Sequence, residues 1–338
     1  MNRLVSRKIS QADIAKLADV SVSTVSRALA GGNGISVEVQ SRIREAAAEL
    51  GYIERSRSSA IDVIVYLPMH PVTGGLHQVF KEIFDGVRLA AEANDVTIHP
   101  RMLPMNAIDL PLVTSEAEEY KTTAALMFYM DPPQDVAEFF LEKGALVLVN
   151  NIDHQMRFDS AIPDDFGGSL LATRKMLEIG HRKIAYVTGS NRYSASERQR
   201  GFLAAVAETN GAEGSIIDIG HDRYETAYDH FNSLFSQRHP LEWTGLVCGN
   251  DLMAMGIMNV AERNGVKVPD DLSIAAFYDL GWAGMTSPPL TTIHVDCKAL
   301  GVEIIKLLQR RIADRRAVPI QLKMGVTHVA GATVRPQS

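Results

Sequence analysis

The chain has 338 residues, 46% of them hydrophobic and 22% charged, which is the composition of a globular protein with room for about two or three domains. It contains no apolar run long enough for a membrane span, and its first residues, MNRLVSRKIS, lack the apolar segment of a secretory signal. We therefore expect a cytoplasmic protein with no membrane partner. The two cysteines, Cys248 and Cys297, lie far apart in apolar surroundings, which predicts buried thiols and argues against a metal or redox site.

Charge is unevenly distributed along the chain. The net charge of −6 argues against a protein that coats nucleic acid with its whole surface. Residues 1–59 carry nine Lys/Arg and six Asp/Glu, a net charge of +3, so the remainder carries −9. A small basic head on an acidic body predicts that one end alone binds a polyanion.

The first predicted element is a short helix that follows Ser10 and ends near Ala18. Ser10 with Asp13 three residues later is typical of a helix N-cap with an acidic first turn. Apolar side chains then recur at helical spacing in Ile14, Leu17 and Ala18. We expect these three side chains to face a common core.

A second helix is predicted after a tight turn at Asp19 and Val20. Ser21 is expected to cap this helix, with Val25 and Leu29 facing inward. Two helices joined by so short a turn form a helix-turn-helix.

A third helix is predicted after the GGNG loop, with Ser36 as its cap and Gly51 as its stop. Its expected core side consists of Val39, Ile43, Ala46, Ala47 and Leu50. The apolar stripes of the three helices can close one small core.

The exposed face of the second helix carries small and hydrogen-bonding side chains. Val22, Ser23 and Ser26 are small enough for the helix to enter a DNA major groove. Together with Arg27 they can reach phosphates and base edges. The alternative is an ordinary solvated amphipathic helix, which the spacing alone does not exclude.

Two stretches of this region, ISQADIAKLADVSVSTVSRAL and VEVQSRIREAAAELGY, resemble the DNA-binding headpiece of the LacI/GalR family of bacterial transcription regulators. The family pattern reads roughly T-x-x-D-V-A-x-x-A-G-V-S-x-x-T-V-S-R-x-L. Asp19 replaces the usual glycine, and aspartate tolerates the left-handed backbone better than most residues, so we expect the turn to survive. The resemblance implies base contacts from Val22, Ser23 and Arg27 and phosphate contacts from Ser10, Thr24 and Ser26.

The segment after the headpiece departs from the family. Members carry a motif like Y-x-P-N-x-x-A-R-x-L, a hinge helix that wedges a leucine into the minor groove, whereas this chain reads IERSRSSA. Residues 54–60 contain no proline, asparagine or leucine and are too few and too polar for a stable helix. Arg55 and Arg57 are expected to follow phosphates or enter a narrow minor groove, so we predict weak DNA bending.

From Ile61 onward, short apolar strands alternate with helical segments in two series. The first series includes the strands DVIVYLP, AALMFYM and ALVLVNN, and the second includes KIAYVTGS and LSIAAFYDL. This alternation predicts two doubly wound parallel sheets. Ligands of such sheets bind outside the carboxyl ends of the strands, so the expected site is a cleft between two facing lobes.

The body is also similar to that of the LacI/GalR family, which resembles a periplasmic sugar-binding protein. The motifs LEIGHRKIAYVTG, CGNDLMAMG, VPDDLSIAAFYD and SPPLTTIHVD follow in the family's order and spacing, with PPLTTI as the return to the first lobe. The expected fold is α/β, with a three-helix helix-turn-helix headpiece before a two-lobed, periplasmic-binding-protein-like body. The predicted boundaries are 1–53 for the headpiece, 54–60 for the shortened hinge, 61–155 with 293–322 for the first lobe, and 156–292 with 323–338 for the second.

The resemblance implies a set of effector-binding residues. Arg198, in ERQRGF, lies where members place an arginine that hydrogen-bonds ligand hydroxyls or carboxylates. Tyr278, in AFYD, replaces the first of two usual acidic residues and leaves Asp279 as the second. The other candidates are the loop residues His70 and His77, the aromatic residues Phe80 and Tyr224, and the strand-end pair Asn250 and Asp251.

Several of these candidates have a purely structural alternative. Asn250 and Asp251 are equally typical of a capped turn. Phe80 and Tyr224 are equally suited to a hydrophobic core, and loop histidines such as His70 and His77 are often only solvated. The residues alone leave these alternatives open.

We expect a sequence-specific transcriptional repressor that binds a roughly palindromic double-stranded DNA operator under the control of a small carbohydrate. A purine or nucleoside effector in the same role is the alternative. An enzyme is disfavoured because the chain has no G-x-G-x-x-G after a strand, no P-loop and no G-x-S-x-G, and we expect neither a cofactor nor a metal. The headpiece opposes a free-standing solute-binding protein. The sequence ends at Ser338 without the family's leucine-heptad tail, which predicts a homodimer.

Overall fold

The structure is a computed structural model that describes residues 11–29, 35–49, 61–69, 78–104, 107–237 and 241–337. The chain divides into two compact units, residues 1–61 and 62–338. None of the helices in the described ranges is long and apolar enough to cross a membrane.

The first unit contains three short helices around one small core. They are α1 (Gln11–Leu17), α2 (Val22–Leu29) and α3 (Val37–Glu49). Ile14, Val25 and Ile43, one from each helix, are fully buried in a shared cluster, as the apolar stripes predict. Leu17 is a correction: it is 45% exposed, because it lies at the end of α1, away from that cluster.

The first lobe of the second unit is built on a six-stranded sheet. Its strands are β1 (Ile61–Pro68), β2 (Val96–Leu103), β3 (Ala124–Phe128), β4 (Ala145–Val149), β5 (Asp159–Pro163) and β11 (Gln321–Met324), and its helices are α4 (Gln78–Ala93), α5 (Leu110–Glu119), α6 (Gln134–Lys143) and α11 (Cys297–Ala313). The strand order is β11-β5-β4-β3-β1-β2. Every residue of β3 and β4 is buried, which is why these strands read as continuous apolar runs.

The second lobe repeats the architecture. Its strands are β6 (Lys183–Thr188), β7 (Glu213–Asp218), β8 (Gly245–Cys248), β9 (Ser273–Tyr278), β10 (Thr291–His294) and β12 (Thr327–Val329), and its helices are α7 (Asp165–Glu178), α8 (Tyr193–Glu208), α9 (Tyr224–Ser236) and α10 (Asp251–Arg263). The strand order is β12-β10-β9-β8-β6-β7, with β12 antiparallel to β10. The two lobes therefore have the predicted parallel-dominated sheets.

The chain crosses between the lobes later than the predicted boundaries. β5 pairs with β4, so the first lobe extends to Pro163 and not to position 155. β10 pairs with β9, so PPLTTI still belongs to the second lobe, and the return follows His294. β11 keeps the first lobe to Met324. Hydrogen-bonded partners decide lobe membership, and an apolar pattern does not reveal the partner of a strand.

A buried ion pair connects β5 to the returning segments α11 and β11. Asp159 is fully buried and accepts hydrogen bonds from Arg311 Nε at 2.7 Å and from the backbone N of Ile320 at 2.6 Å. Arg310 Nη1 lies 3.3 Å from the same carboxylate. The carboxylate thus holds together pieces of the first lobe that are far apart in sequence.

We expect Asp159→Ala to lower the free energy of unfolding of the body by about 3–5 kcal/mol, because it leaves the buried Arg311 without its anion. Urea denaturation measures this change. Glu303→Gln on α11, the helix that carries Arg311, is the control, since the ion pair of Glu303 with Lys306 is exposed and its loss should change stability by at most about 0.5 kcal/mol. Equal effects of the two substitutions would contradict the assignment.

Candidate functional site

The turn of the headpiece is built by local hydrogen bonds. Ser21 Oγ accepts a hydrogen bond from the backbone N of Thr24 at 3.1 Å and caps α2, as predicted. The Ser21 hydroxyl also lies 2.7 Å from the hydroxyls of Ser23 and Thr24. Asp19 has a φ of 52°, so the residue that replaces glycine does adopt the left-handed backbone.

The exposed face of α2 carries the predicted DNA-contacting residues. Val22 is 48% exposed, Ser23 and Arg27 are exposed, and Thr24 is half-buried. Arg27 forms no ion pair with any of the residues that the structure describes. This face therefore has the small side chains and the available cation that a major-groove helix needs. Ser10, Arg55, Arg57 and the side chain of Ser26 lie outside what is described, and their contacts stay predictions.

A cavity of about 510 Å³ lies between the lobes of the body, at the carboxyl ends of the strands. The first lobe lines it with Pro68, Met69, Val79, Phe80, Tyr129 and Asn150, and the second lobe with Gly189, Ser190, Asn191, Arg192, Arg198, Asp218, Gly220, His221, Asp222, Arg223, Asn250 and Tyr278. Its size suits a small polar ligand, and its position is the one that the strand pattern predicts.

Three lining residues have an unusual backbone where they follow or end a strand. Tyr129, Asn150 and Tyr278 have φ values of 56°, 52° and 104°. A positive φ costs energy for residues other than glycine, and such residues concentrate at functional sites. Their grouping around one cavity supports its assignment as the ligand site.

Arg198 is the most enclosed cation of the cavity. Only 5% of the residue is exposed, and its guanidinium carbon lies 4.9 Å from the ring centre of Phe277 and 5.0 Å from that of Tyr278. Nε donates to the carbonyl oxygen of Ser194 at 3.2 Å, and Nη1 donates to that of Gly249. Nη2 has no hydrogen-bond partner among the described residues. The guanidinium is thus held rigidly with one donor arm available to a ligand.

Asn250 lines the cavity and also caps α10. Its Oδ1 accepts from the backbone N of Met253 at 2.8 Å, and its Nδ2 donates to the carbonyl oxygen of Asp222 at 3.0 Å. The capping alternative that the sequence left open is therefore realised. This amide joins the end of β8 to the loop that contains His221 and Asp222.

Three predicted effector residues lie outside the cavity lining. Asp251 is fully buried, where Oδ1 accepts from the Thr292 hydroxyl at 2.7 Å and Oδ2 from the backbone N of Leu280 at 2.8 Å. It connects α10 to β10 and to the segment after β9, which is a structural role.

Tyr224 and Asp279 are the other two corrections. The ring centre of Tyr224 lies 6.3 Å from that of Tyr228, and Tyr224 lines a different groove beside α10. The loop before α9 lines the cavity, whereas Tyr224 is the first residue of α9 itself. Asp279 lies 3.0 Å from Nδ1 of His294 at the ends of β9 and β10. His70 and His77 belong to a segment that is not described.

Sequence reasoning missed the contact that spans the cleft. Arg192, from the second lobe, donates from Nη1 to the carbonyl oxygen of Tyr129 in the first lobe at 3.0 Å. The guanidinium carbon lies 4.2 Å from the centre of the Tyr129 ring, which lies 5.0 Å from the ring of Phe80. The strand-end rule would have selected Tyr129, which directly follows β3, whereas Arg192 lies four residues beyond the end of β6.

Burial controls the charge of two carboxyl groups near the cavity. Desolvation raises the pKa of Asp165 to about 7, although the nearby Arg198 lowers it. Desolvation likewise raises the pKa of Asp251 to about 7, against the stabilising hydrogen bond from Thr292. Desolvation also raises the pKa of the Tyr129 hydroxyl, which stays a neutral hydrogen-bonding group.

These raised values predict a pH-dependent stability. In the unfolded chain the pKa of Asp165 is near its ordinary value. Between about pH 4 and 7 the folded state therefore binds more protons than the unfolded state, and its stability falls as the pH rises. Asp165→Asn stays neutral, so its stability relative to the unmodified protein should increase between pH 5 and pH 8. Urea denaturation at both pH values tests this, and a constant difference between the two proteins would contradict it.

The comparisons agree with the two-part architecture. Residues 10–54 match the family described as bacterial regulatory proteins, lacI family, and residues 173–334 match the periplasmic binding protein-like domain. Over 325 residues the chain is 28% identical to the HTH-type transcriptional repressor PurR of Vibrio campbellii, covering 90% of this chain and 92% of that protein.

Two solved structures have a similar fold. One is the complex of the transcriptional regulator CelR with cellobiose, with a TM-score of 0.69, 20% identity and coverage of 96% of this chain and 100% of that chain. The other is the lac repressor dimer bound to operator and the anti-inducer ONPF, with a TM-score of 0.70, 20% identity and coverage of 97% and 99%.

A helix-turn-helix unit followed by a two-lobed body with a polar cleft defines the class of ligand-responsive, DNA-binding regulators. The chain carries the helix-turn-helix domain of the lacI family of bacterial regulatory proteins, followed by a periplasmic-binding-protein-like domain. It is a DNA-binding transcriptional repressor of the LacI type, with an effector-binding body like a periplasmic binding protein. The family is one of regulators and not of enzymes.

Proposed function

We propose that this cytoplasmic repressor binds a roughly palindromic operator as a homodimer and that a small carbohydrate in the inter-lobe cavity controls this binding. The observation that supports a carbohydrate effector is the cavity lining, which combines aromatic faces with fixed hydrogen-bonding groups. Phe80 and Tyr129 supply ring faces, while Arg192, Arg198 and Asp222 supply polar groups. Sugar rings need both kinds of contact.

A purine or nucleoside is the second candidate. It is favoured by the relative named PurR and by aromatic residues that suit a flat base as well as a sugar ring. The similar fold of the cellobiose-bound CelR structure favours a sugar. The two candidates can be distinguished by melting temperature, because only a ligand that binds the folded protein raises it.

The experiment is a melting-temperature screen of the full-length protein against glucose, ribose, cellobiose, adenine and hypoxanthine. We expect a saturable rise with at least one sugar and none with the bases. The ligand that raises the melting temperature should then change operator retention in a gel-shift assay. A rise with the bases alone would replace the carbohydrate with the purine candidate.

The shortened hinge leads to a prediction about DNA shape. Residues 54–60 lie outside the described residues, and their sequence contains no leucine that could wedge between base pairs. We expect weak bending of the bound operator, with specificity depending mainly on the exposed face of α2. A circular-permutation gel assay measures the angle. A sharp central kink of several tens of degrees would show that another side chain acts as the wedge.

A further inference from the structure

Asp165, the first residue of α7, is a buried carboxylate that accepts no hydrogen bond from the part of the chain that the structure describes. The residue is 1% exposed, and neither Oδ1 nor Oδ2 has a hydrogen-bond partner among the described residues. Buried polar atoms normally have partners, so this arrangement is costly and calls for an explanation. The nearest cation is Arg198, whose Nε lies 3.3 Å from Oδ1.

The packing of α7 against α8 holds this pair together. Asp164 caps α7 by accepting from the backbone N of Gly167 at 3.0 Å, which places Asp165 in the first turn. On α8, a Cβ at Gly201 would lie 2.2 Å from the carbonyl oxygen of Phe166, so the two backbones are in direct contact. The proximity of Asp165 and Arg198 therefore follows from the helix packing and not from a mobile side chain.

The pair also determines the net charge of the cavity. An enclosed guanidinium is costly unless an anion compensates it, and Asp165 is the anion in contact with Arg198. Besides Arg198, the formally charged residues that line the cavity are two cations, Arg192 and Arg223, and two anions, Asp218 and Asp222, whereas Asp165 is in contact with Arg198 without lining the cavity itself. With Asp165 ionised, positive and negative groups balance.

We propose that Asp165 is a positioning residue and counter-charge for Arg198, and that it makes the cavity select an uncharged polar effector over an anionic one. This inference rests on the proposed function for the identity of the site. It predicts that removal of the Asp165 carboxylate creates an anion site at Arg198.

Sulfate is the probe, because it needs no knowledge of the effector. At pH 8 and constant ionic strength, sulfate about tenfold above its Kd should raise the melting temperature of Asp165→Asn by about 2–4 °C. The unmodified protein should show no such rise. Asp164→Asn is the matched control, since it removes a neighbouring carboxylate, and asparagine remains a good helix cap. The general stabilisation by sulfate is common to all variants and cancels in the comparison.

The double variant Asp165→Asn/Arg198→Met should lose the sulfate response. No gain in Asp165→Asn beyond that of Asp164→Asn would overturn the proposal. So would an Arg198-dependent sulfate response in the unmodified protein at pH 8, because Arg198 would then not be compensated.

A second measurement carries the test if Asp165→Asn does not fold. Because burial raises the pKa of Asp165, a larger fraction of its carboxyl is protonated at pH 6 than at pH 8, so the unmodified protein should respond more strongly to sulfate at pH 6, whereas Arg198→Met should not. Arg198→Met retains the other cavity residues, including His221, so a sulfate response that both proteins share does not come from Arg198. The charged and titratable groups that face Asp165 are Asp164 on the same segment, Arg198, Glu197 and Tyr193 on α8, Tyr186 on β6, Tyr278 on β9 and Lys323 on β11. Equal responses at pH 6 and pH 8 would refute the proposal.

Failure of this inference and failure of the proposed function are distinguishable. A sulfate response gained by Asp165→Asn, without any sugar response in the unmodified protein, would support Asp165 as the counter-charge of Arg198 and reject the carbohydrate effector. A sugar response without the gained sulfate response would support the carbohydrate effector and reject the counter-charge.

Discussion

Replacing Arg198 with alanine is expected to abolish the rise in melting temperature that the effector causes. The substitution removes Nη2 of Arg198, which has no hydrogen-bond partner among the described residues, and a positive charge that Asp165 compensates. A ligand group left without its partner in an enclosed site costs about 1–3 kcal/mol, a loss of about 5- to 150-fold in affinity. The fold is expected to survive, because Asp165 has a pKa of about 7 and takes up a proton when its counter-ion is removed.

The matched control is Arg200→Ala on the same helix. The Arg200 side chain is 67% exposed and pairs with Glu197, so its replacement is expected to leave the effector-induced rise in melting temperature unchanged. Arg198→Lys keeps the charge beside Asp165 but lacks the planar fork, and we expect an intermediate response. An unaltered response of Arg198→Ala would place the effector outside this cavity.

Replacing Arg27 with alanine is expected to remove sequence-specific operator binding. Arg27 is exposed on α2 beside Val22 and Ser23, on the face that would enter the major groove. A base contact of this kind contributes about 1–3 kcal/mol of discrimination, so each half-site should lose about 5- to 150-fold in affinity. Because the side chain is exposed, the stability should change by at most about 0.5 kcal/mol.

Arg42→Ala is the matched control for the headpiece, since Arg42 is an exposed arginine on α3. We expect the control to keep its preference for the operator over unrelated DNA. Footprinting at several salt concentrations separates a lost base contact from a lost phosphate contact, because phosphate contacts alone determine the salt slope. Normal footprints by Arg27→Ala would show that α2 is not the reading helix.

The caps and the core of the described part of the headpiece could be predicted because their contacts are local. The caps at Ser21 and Ser36 follow from the choice of residues, and both form the predicted hydrogen bonds. The left-handed Asp19 follows from the tolerance of aspartate for that backbone. Leu17 was misplaced because a seven-residue helix ends before its periodicity can distinguish the core side from the edge.

The cleft was less predictable than the headpiece. Arg198 and Phe80 line the cavity, and their contacts with an effector stay predictions. Asp251 does not line it, because a carboxylate at a strand end serves a ligand or a neighbouring strand equally well, and here it accepts from the Thr292 hydroxyl at 2.7 Å. The contact between Arg192 and Tyr129 was not predicted, because each residue lies in a loop and the contact forms only when the two lobes face each other.

The sequence by itself determined the class of the protein: local caps and helical spacing define the headpiece, and alternating buried strands and helices define two doubly wound lobes. Only the tertiary structure decided which lobe receives β5, β10 and β11, and which charges meet in the interior. The reason is that hydrophobic periodicity reports whether a side chain is buried and not what it is buried against. The pairing of Asp165 with Arg198 depends on two helices packed in contact, and the residues around each side chain do not encode it.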